Sequence, residues 1–103
     1  MADVREALGV SRRVFARLTG YSERAIAGWE GGRELSEASR QRMLETRRLE
    51  KALAGVMKPS GIAAWLERPN RAFRGLKPLE VIERGEMDRI WRMLFDLESG
   101  AGA

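Results

Sequence analysis

The residues best suited to chemistry in this chain are arginines. Arg12, Arg13, Arg17, Arg24 and Arg33 fall between positions 11 and 33, opposed there only by Glu23 and Glu30. A guanidinium is permanently charged and presents a planar fork of donors that suits phosphate and guanine. Ser11 and Ser22 each stand just ahead of an apolar-periodic stretch. A serine there caps a helix, and the first backbone amides then face outward toward any anion. Ser11, Arg12 and Arg13 together make a candidate phosphate site. Arg24 could fork onto a guanine, worth about 1–3 kcal/mol of discrimination. Glu23 could accept from a cytosine amine, or only stabilise a helix dipole.

Other chemistries are thinly provided for. The 103 residues include no His and no Cys. Disulfides, thiolate nucleophiles and Cys-ligated zinc are thereby excluded, and the usual general base is missing. Glu80 with Glu83, or Glu86 with Asp88, are carboxylate pairs of the ordinary solvated kind. Gly31-Gly32 follows a helix rather than opening one, so it is not a phosphate-binding loop. The composition points away from an enzyme, a metal site or a cofactor and toward a binding protein. No apolar run is long enough to span a membrane, and the first ten residues do not read as a signal peptide. A cytoplasmic protein without membrane contact is expected.

The net charge of +4 lies entirely in residues 1–58; residues 59–103 balance. Strand signals are nearly absent and helix signals recur. A short apolar turn over Arg5–Leu8 ends at Gly9. Ser11 caps a helix whose inner face is Val14, Phe15 and Leu18 and which stops at Gly20. Ser22 caps a second, with Ile26 and Trp29 inward and Gly31-Gly32 as its end. Ser36 opens a long helix reaching about Met57, with Met43, Leu44, Leu49, Leu53 and Val56 as apolar positions. Pro59 marks a boundary. Ser60 is expected to cap a short helix with Ile62, Trp65 and Leu66, broken by Pro69-Asn70. Phe73 and Leu76 lie in a tight connection. Pro78 opens a helix with Leu79 and Ile82 that closes at Gly85. A last helix from Glu86 to about Leu97 puts Met87, Ile90, Trp91, Leu94 and Leu97 on one face. A disordered tail from Gly100 is expected. The prediction is an all-α fold of about seven short helices, in two parts, 1–58 and 59–103.

Residues from Leu8 to about Ser36 resemble the helix-turn-helix of Xre/Cro/CI-type phage-like repressors, through Phe15-Ala16, Gly20-Tyr21-Ser22, Ile26 and Trp29-Glu30-x-Gly32. In that resemblance Ser22 is a first-turn phosphate or base contact. Ser11, Arg12, Arg13, Ser22, Glu23, Arg24, Gly28 and Arg33 form the candidate DNA surface. Taking Ile26 and Trp29 as inward, Arg24, Ala27, Gly28 and Gly31 turn outward. Three of these four lack side-chain donors, so binding to double-stranded operator DNA is expected to be weak per monomer and salt-sensitive. Specificity would come from a homodimer or larger assembly.

Residues 65–100 are similar to the toxin-binding domain of Xre/MbcA/ParS-type antitoxins. The similarity rests on Trp65-Leu66, Pro69-Asn70, Phe73, Gly75, Lys77-Pro78-Leu79, Gly85-Glu86 and a final amphipathic helix ending at Gly100. It implies a type II antitoxin that occludes the NAD site of a RES-domain toxin, forms a hetero-oligomer with it and autoregulates its operon through DNA. Trp65, Leu79, Ile82, Ile90 and Leu94 are expected in the core. Trp91, Met93 and Phe95 are bulky apolar groups beyond what a small core absorbs, so they are the candidate toxin contacts. Arg68, Asn70, Arg71, Arg74, Arg89 and Gly100 complete that candidate surface. The Gly-Ala tail carries no apolar or charged anchor, which leaves occlusion to the last helix. The alternative is a stand-alone repressor whose second part only dimerises.

Overall fold

The computed structural model describes residues 2–100, and among them every regular element is helical. Seven α-helices follow in order: α1 Ala2–Leu8, α2 Arg12–Thr19, α3 Glu23–Glu30, α4 Glu37–Ala54, α5 Ile62–Leu66, α6 Pro78–Glu83 and α7 Met87–Glu98. Short 3-10 turns at Pro59–Gly61 and Arg71–Phe73 complete the set.

The local signals act as their chemistry dictates. The hydroxyls of Ser11, Ser22 and Ser36 accept from the amides of Val14, Ala25 and Ser39 at 3.2, 3.0 and 3.1 Å. Each satisfies an amide that the helix cannot. Gly20 ends α2 at φ 82°, and its amide donates to the Ala16 carbonyl at 2.8 Å. An L side chain there would be strained. The Arg42 guanidinium, from α4, donates to the Thr19 carbonyl at 2.7 Å and closes the same end. Pro78 starts α6, and the Glu80 carboxylate accepts from the Lys77 amide at 2.8 Å.

The structure differs from the sequence-based expectation at three places. Ser60 caps nothing: α5 follows the 3-10 turn directly, with Gly61 at its N-cap and no side-chain bond. The long helix stops at Ala54, because the chain turns at Gly55 and leaves Val56 half-buried beyond it. Leu44 and Leu97 share the apolar period of their helices yet are 47% and 50% exposed. Leu44 lies on the outer face of α4, and Leu97 lies beyond Leu94, where α7 has run past the core. The tail expectation falls outside the described residues except for Gly100.

Among the described residues one apolar cluster runs from α1 to α7. Val4, Leu8, Phe15, Ile26, Leu49 and Leu53 meet Ile62, Leu66, Phe73, Leu79, Ile90 and Leu94 without a break at Pro59. A chain this short buries a modest fraction of its surface, so a single shared core is the economical solution. Helix α2 packs on α6, and Arg17 forks onto Glu83 across that contact, at 2.9 and 2.7 Å. Both partners are about one-third exposed. Their pairing contributes little beyond orientation.

A second ion cluster is better sheltered. The Glu30 side chain, at the end of α3, is 5% exposed. Arg5 of α1 donates to it at 2.6 and 3.3 Å, and Arg12 of α2 at 2.6 Å. Arg5 also donates to the Val10 carbonyl. The Arg5 hydrogen bonds, aided by Arg12, hold the Glu30 carboxyl below its ordinary range despite burial. A lowered carboxyl pKa gives stability that is complete above the unfolded-state value and is lost as pH falls through the folded one. Glu30→Gln should therefore cost about 2 kcal/mol at neutral pH. It should also flatten the fall of Tm on acidification below the ordinary Glu range. Thermal melts of both proteins across pH 7 to 3 check this.

Candidate functional site

The first candidate surface is built on the N-terminal ends of α2 and α3. Ser11 and Ser22 face solvent while capping. Arg13, Glu23 and Arg24 are exposed around them, and the Arg13 and Arg24 guanidiniums have no ion-pair or hydrogen-bond partner among the described residues. Arg12 differs: its Nε is committed to Glu30, with the rest of the fork half exposed. Arg17, counted in the local charge excess, is committed to Glu83.

Arg33 was placed on this surface too, and its position is unusual. Its guanidinium lies 5.6 Å from the centre of the Trp29 ring and within 3.5 Å of the Ala25 carbonyl. It passes over Gly28, where a Cβ would stand 3.2 Å from the guanidinium carbon. Gly28 is thus roofed by Arg33 rather than open. Trp29 is half-buried and meets Tyr21 edge-on at 5.0 Å. The cation-π contact helps hold Arg33 down. The sequence carried no sign of this roof, because Arg33 lies beyond the helix in a glycine-containing turn.

The second candidate surface is α7 with the loop before α6. Phe95 is 69% exposed and Trp91 39%. Both sit on the same side of α7, at i and i+4. Trp91 borders a shallow cleft with Met87 of α7 and Glu45 and Arg48 of α4. Met93, grouped with them from the sequence, is half-buried instead. It lines a groove of about 340 Å³ with Phe73, Leu97, Arg89, Arg92 and Asp96. Leu97 and Arg92 thus belong to this surface, and no local signal in the sequence marks them. Of the expected core positions, Leu79, Ile82, Ile90 and Leu94 are buried. Trp65 is half-buried, edge-on to Phe73 at 6.5 Å.

The polar candidates divide. Asn70 is structural: its side chain accepts from the Ala72 amide, and its backbone joins Leu76 and Gly75. Arg89 donates to Glu86 at 2.8 Å and lies 5.7 Å from the centre of the Phe73 ring. Arg68, Arg71 and Arg74 are exposed, as is Gly100 just past α7. Arg74 has φ 55° and ψ 38°, the left-handed region, at a cost of about 1–2 kcal/mol for a residue with a Cβ.

Comparison with known proteins adds to this geometry. No family model matches the sequence. The chain is 26% identical over 96 residues to the mycobacterial cidal antitoxin MbcA of Mycobacterium tuberculosis, a match covering 92% of this chain and 85% of that protein. A probable mycobacterial cidal antitoxin of the same species is 24% identical over 90 residues, covering 87% of this chain and 77% of its own length. The crystal structure of the M. tuberculosis MbcT-MbcA toxin-antitoxin complex matches with a TM-score of 0.78 at 25% identity, covering 96% of this chain and 90% of the matched one. The chain is homologous to MbcA and shares its all-helical fold. The MbcA match spans both candidate surfaces rather than one.

The two sides of α7 should respond differently to substitution. Leu94→Ala opens a cavity and should cost about 2–5 kcal/mol. Phe95→Ser removes an exposed ring and should change stability by no more than about 0.5 kcal/mol. Denaturant unfolding of the two variants distinguishes them.

Proposed function

We propose that this protein is the antitoxin of a toxin–antitoxin pair and holds its toxin inactive by direct contact. The observation that carries this reading is the chain-long similarity in sequence and fold to MbcA, whose matched structure is a toxin-antitoxin complex. The contact surface is α7, led by Trp91 and Phe95 on its α4 flank, with the Met93–Leu97 groove on its other flank. Two exposed aromatic rings on one short helix make a natural anchor for a partner. Inhibition of this kind is stoichiometric and needs no catalytic group. The toxin is a RES-domain, NAD-consuming enzyme, and α7 covers its active site.

The second activity is operator binding by α2 and α3 as a helix-turn-helix. Arg13 and the capped N-termini at Ser11 and Ser22 contact phosphate, Arg24 forks onto a guanine, and a homodimer supplies two half-sites. With Arg12 shared, Arg17 paired and Arg33 folded over Gly28, few free cations remain, which suits weak binding per protomer.

Three measurements test these proposals. Co-expression with the protein encoded beside it should give a fixed-ratio complex and restore growth, and Trp91→Ser with Phe95→Ser should lose both. Recovery of this chain alone would leave a stand-alone repressor. Ending the chain at Leu97 should spare folding and neutralisation; loss of neutralisation would assign occlusion to the tail instead. Operator affinity should fall steeply with salt; Arg13→Ala should lower that slope by about one, and Arg24→Ala should cost about 1–3 kcal/mol and relax specificity at the guanine it reads. Tight, salt-insensitive binding by a monomer would overturn the DNA reading.

A further inference from the structure

A second cleft adjoins the apolar groove at Arg89, which lines both. Arg74, Arg84 and Arg89 line this cleft, of about 520 Å³, with Leu76 and Glu86. Glu86 is its one acid, and it is paired with Arg89. The Arg74 and Arg84 side chains have no partner among the described residues. The cleft therefore carries an excess of two positive charges with donors left open.

Arg74 is held there against its own preference. It is the one non-glycine residue with positive φ among the described residues, and Gly75 follows at φ 87°. The Leu76 amide donates to the Phe73 carbonyl at 3.1 Å across the pair. This is the geometry of a type I′ turn, whose first central position favours Asn, Asp or Gly. Arginine gains nothing for the turn itself. Backbone strain kept by a residue with an unpaired charged head points to use of that head.

We propose that this cleft is a recognition site for a pair of neighbouring carboxylates on the protein partner, read by Arg74 and Arg84 with Arg89 behind them. The assignment rests on the antitoxin reading and deepens it. Two open guanidiniums can each take a carboxylate by a two-pronged bond. The matching partner feature is an acidic pair on an exposed turn or helix end, seated next to the Met93–Leu97 groove, which shares Arg89 with the cleft. Such a pair fixes register where apolar contact alone would slide.

The test uses the full chain and a capped tetraglutamate peptide, with tetraglutamine and pyrophosphate as controls, followed by backbone amide NMR at low ionic strength. The expected result is saturable shifts at Leu76, Arg84 and Arg89 with the glutamate peptide and none with the glutamine one. Arg74→Asn suits the turn, so its Tm should equal or exceed the parent's while peptide affinity falls about ten-fold. Arg84→Gln should weaken binding similarly. Absence of saturation, or affinity unchanged in Arg74→Asn, overturns the assignment. Saturation by pyrophosphate but not by the glutamate peptide overturns it in favour of a phosphate ligand. Toxin capture by the unmodified chain tests the antitoxin reading separately. Capture retained in full by Arg74→Asn would leave that reading standing and remove the cleft from it.

Discussion

Glu30 is a carboxylate taken almost out of water, and the two guanidiniums that make this tolerable come from two other helices. Separating the three groups would give up charge-assisted hydrogen bonds from two helices at once, so the clamp ties α1, α2 and the end of α3 together. The orientation of α3 follows from this clamp together with Ile26 in the core. The clamp also decides which cations remain outside. Arg12 stands at the head of α2, yet one edge of its fork points back into the protein. What faces solvent from the α2–α3 pair is consequently sparser than the count of arginines suggests.

The second constraint is size. With a core this small, the two halves of the chain do not each keep one of their own. Phe15 and Ile26 from the first half and Leu79 and Ile90 from the second belong to a single apolar body. Helix α2 is the shared wall: its head carries Arg12 and Arg13, and its side packs on α6. The candidate DNA face and the candidate partner face are thus fixed relative to one another by packing, with Arg17 and Glu83 across the seam.

Much of this was legible in the sequence because it is local. A serine followed by a helical apolar pattern is a cap wherever it occurs, and three such serines cap as read. Glycines after Thr19 and Arg84 stop helices for reasons internal to the turn. The misreadings share a cause. Ser60 resembles the other caps, but Pro59 imposes a tighter turn first. Leu44 and Leu97 carry the right period, yet period says only which residues share a face. It does not say how far along the helix the neighbouring element continues. The pairings of Arg5 and Arg12 with Glu30, of Arg17 with Glu83, and of Arg33 with Trp29 and Gly28 depend on tertiary placement, so composition counted those arginines as free.

The charged clamps also have a chemical consequence. Arg5 on Glu30 and Arg17 on Glu83 each use two nitrogens of one planar group, a geometry that an ammonium cannot reproduce. Sixteen of the chain's nineteen basic residues are arginine, and its lysines are only Lys51, Lys58 and Lys77. Lysine acetylation, a common way for a cell to erase positive charge, therefore has almost nothing to act on here. With no histidine either, the basic surface keeps its charge across the physiological pH range. Its occupancy is left to respond to salt, concentration and competition between ligands.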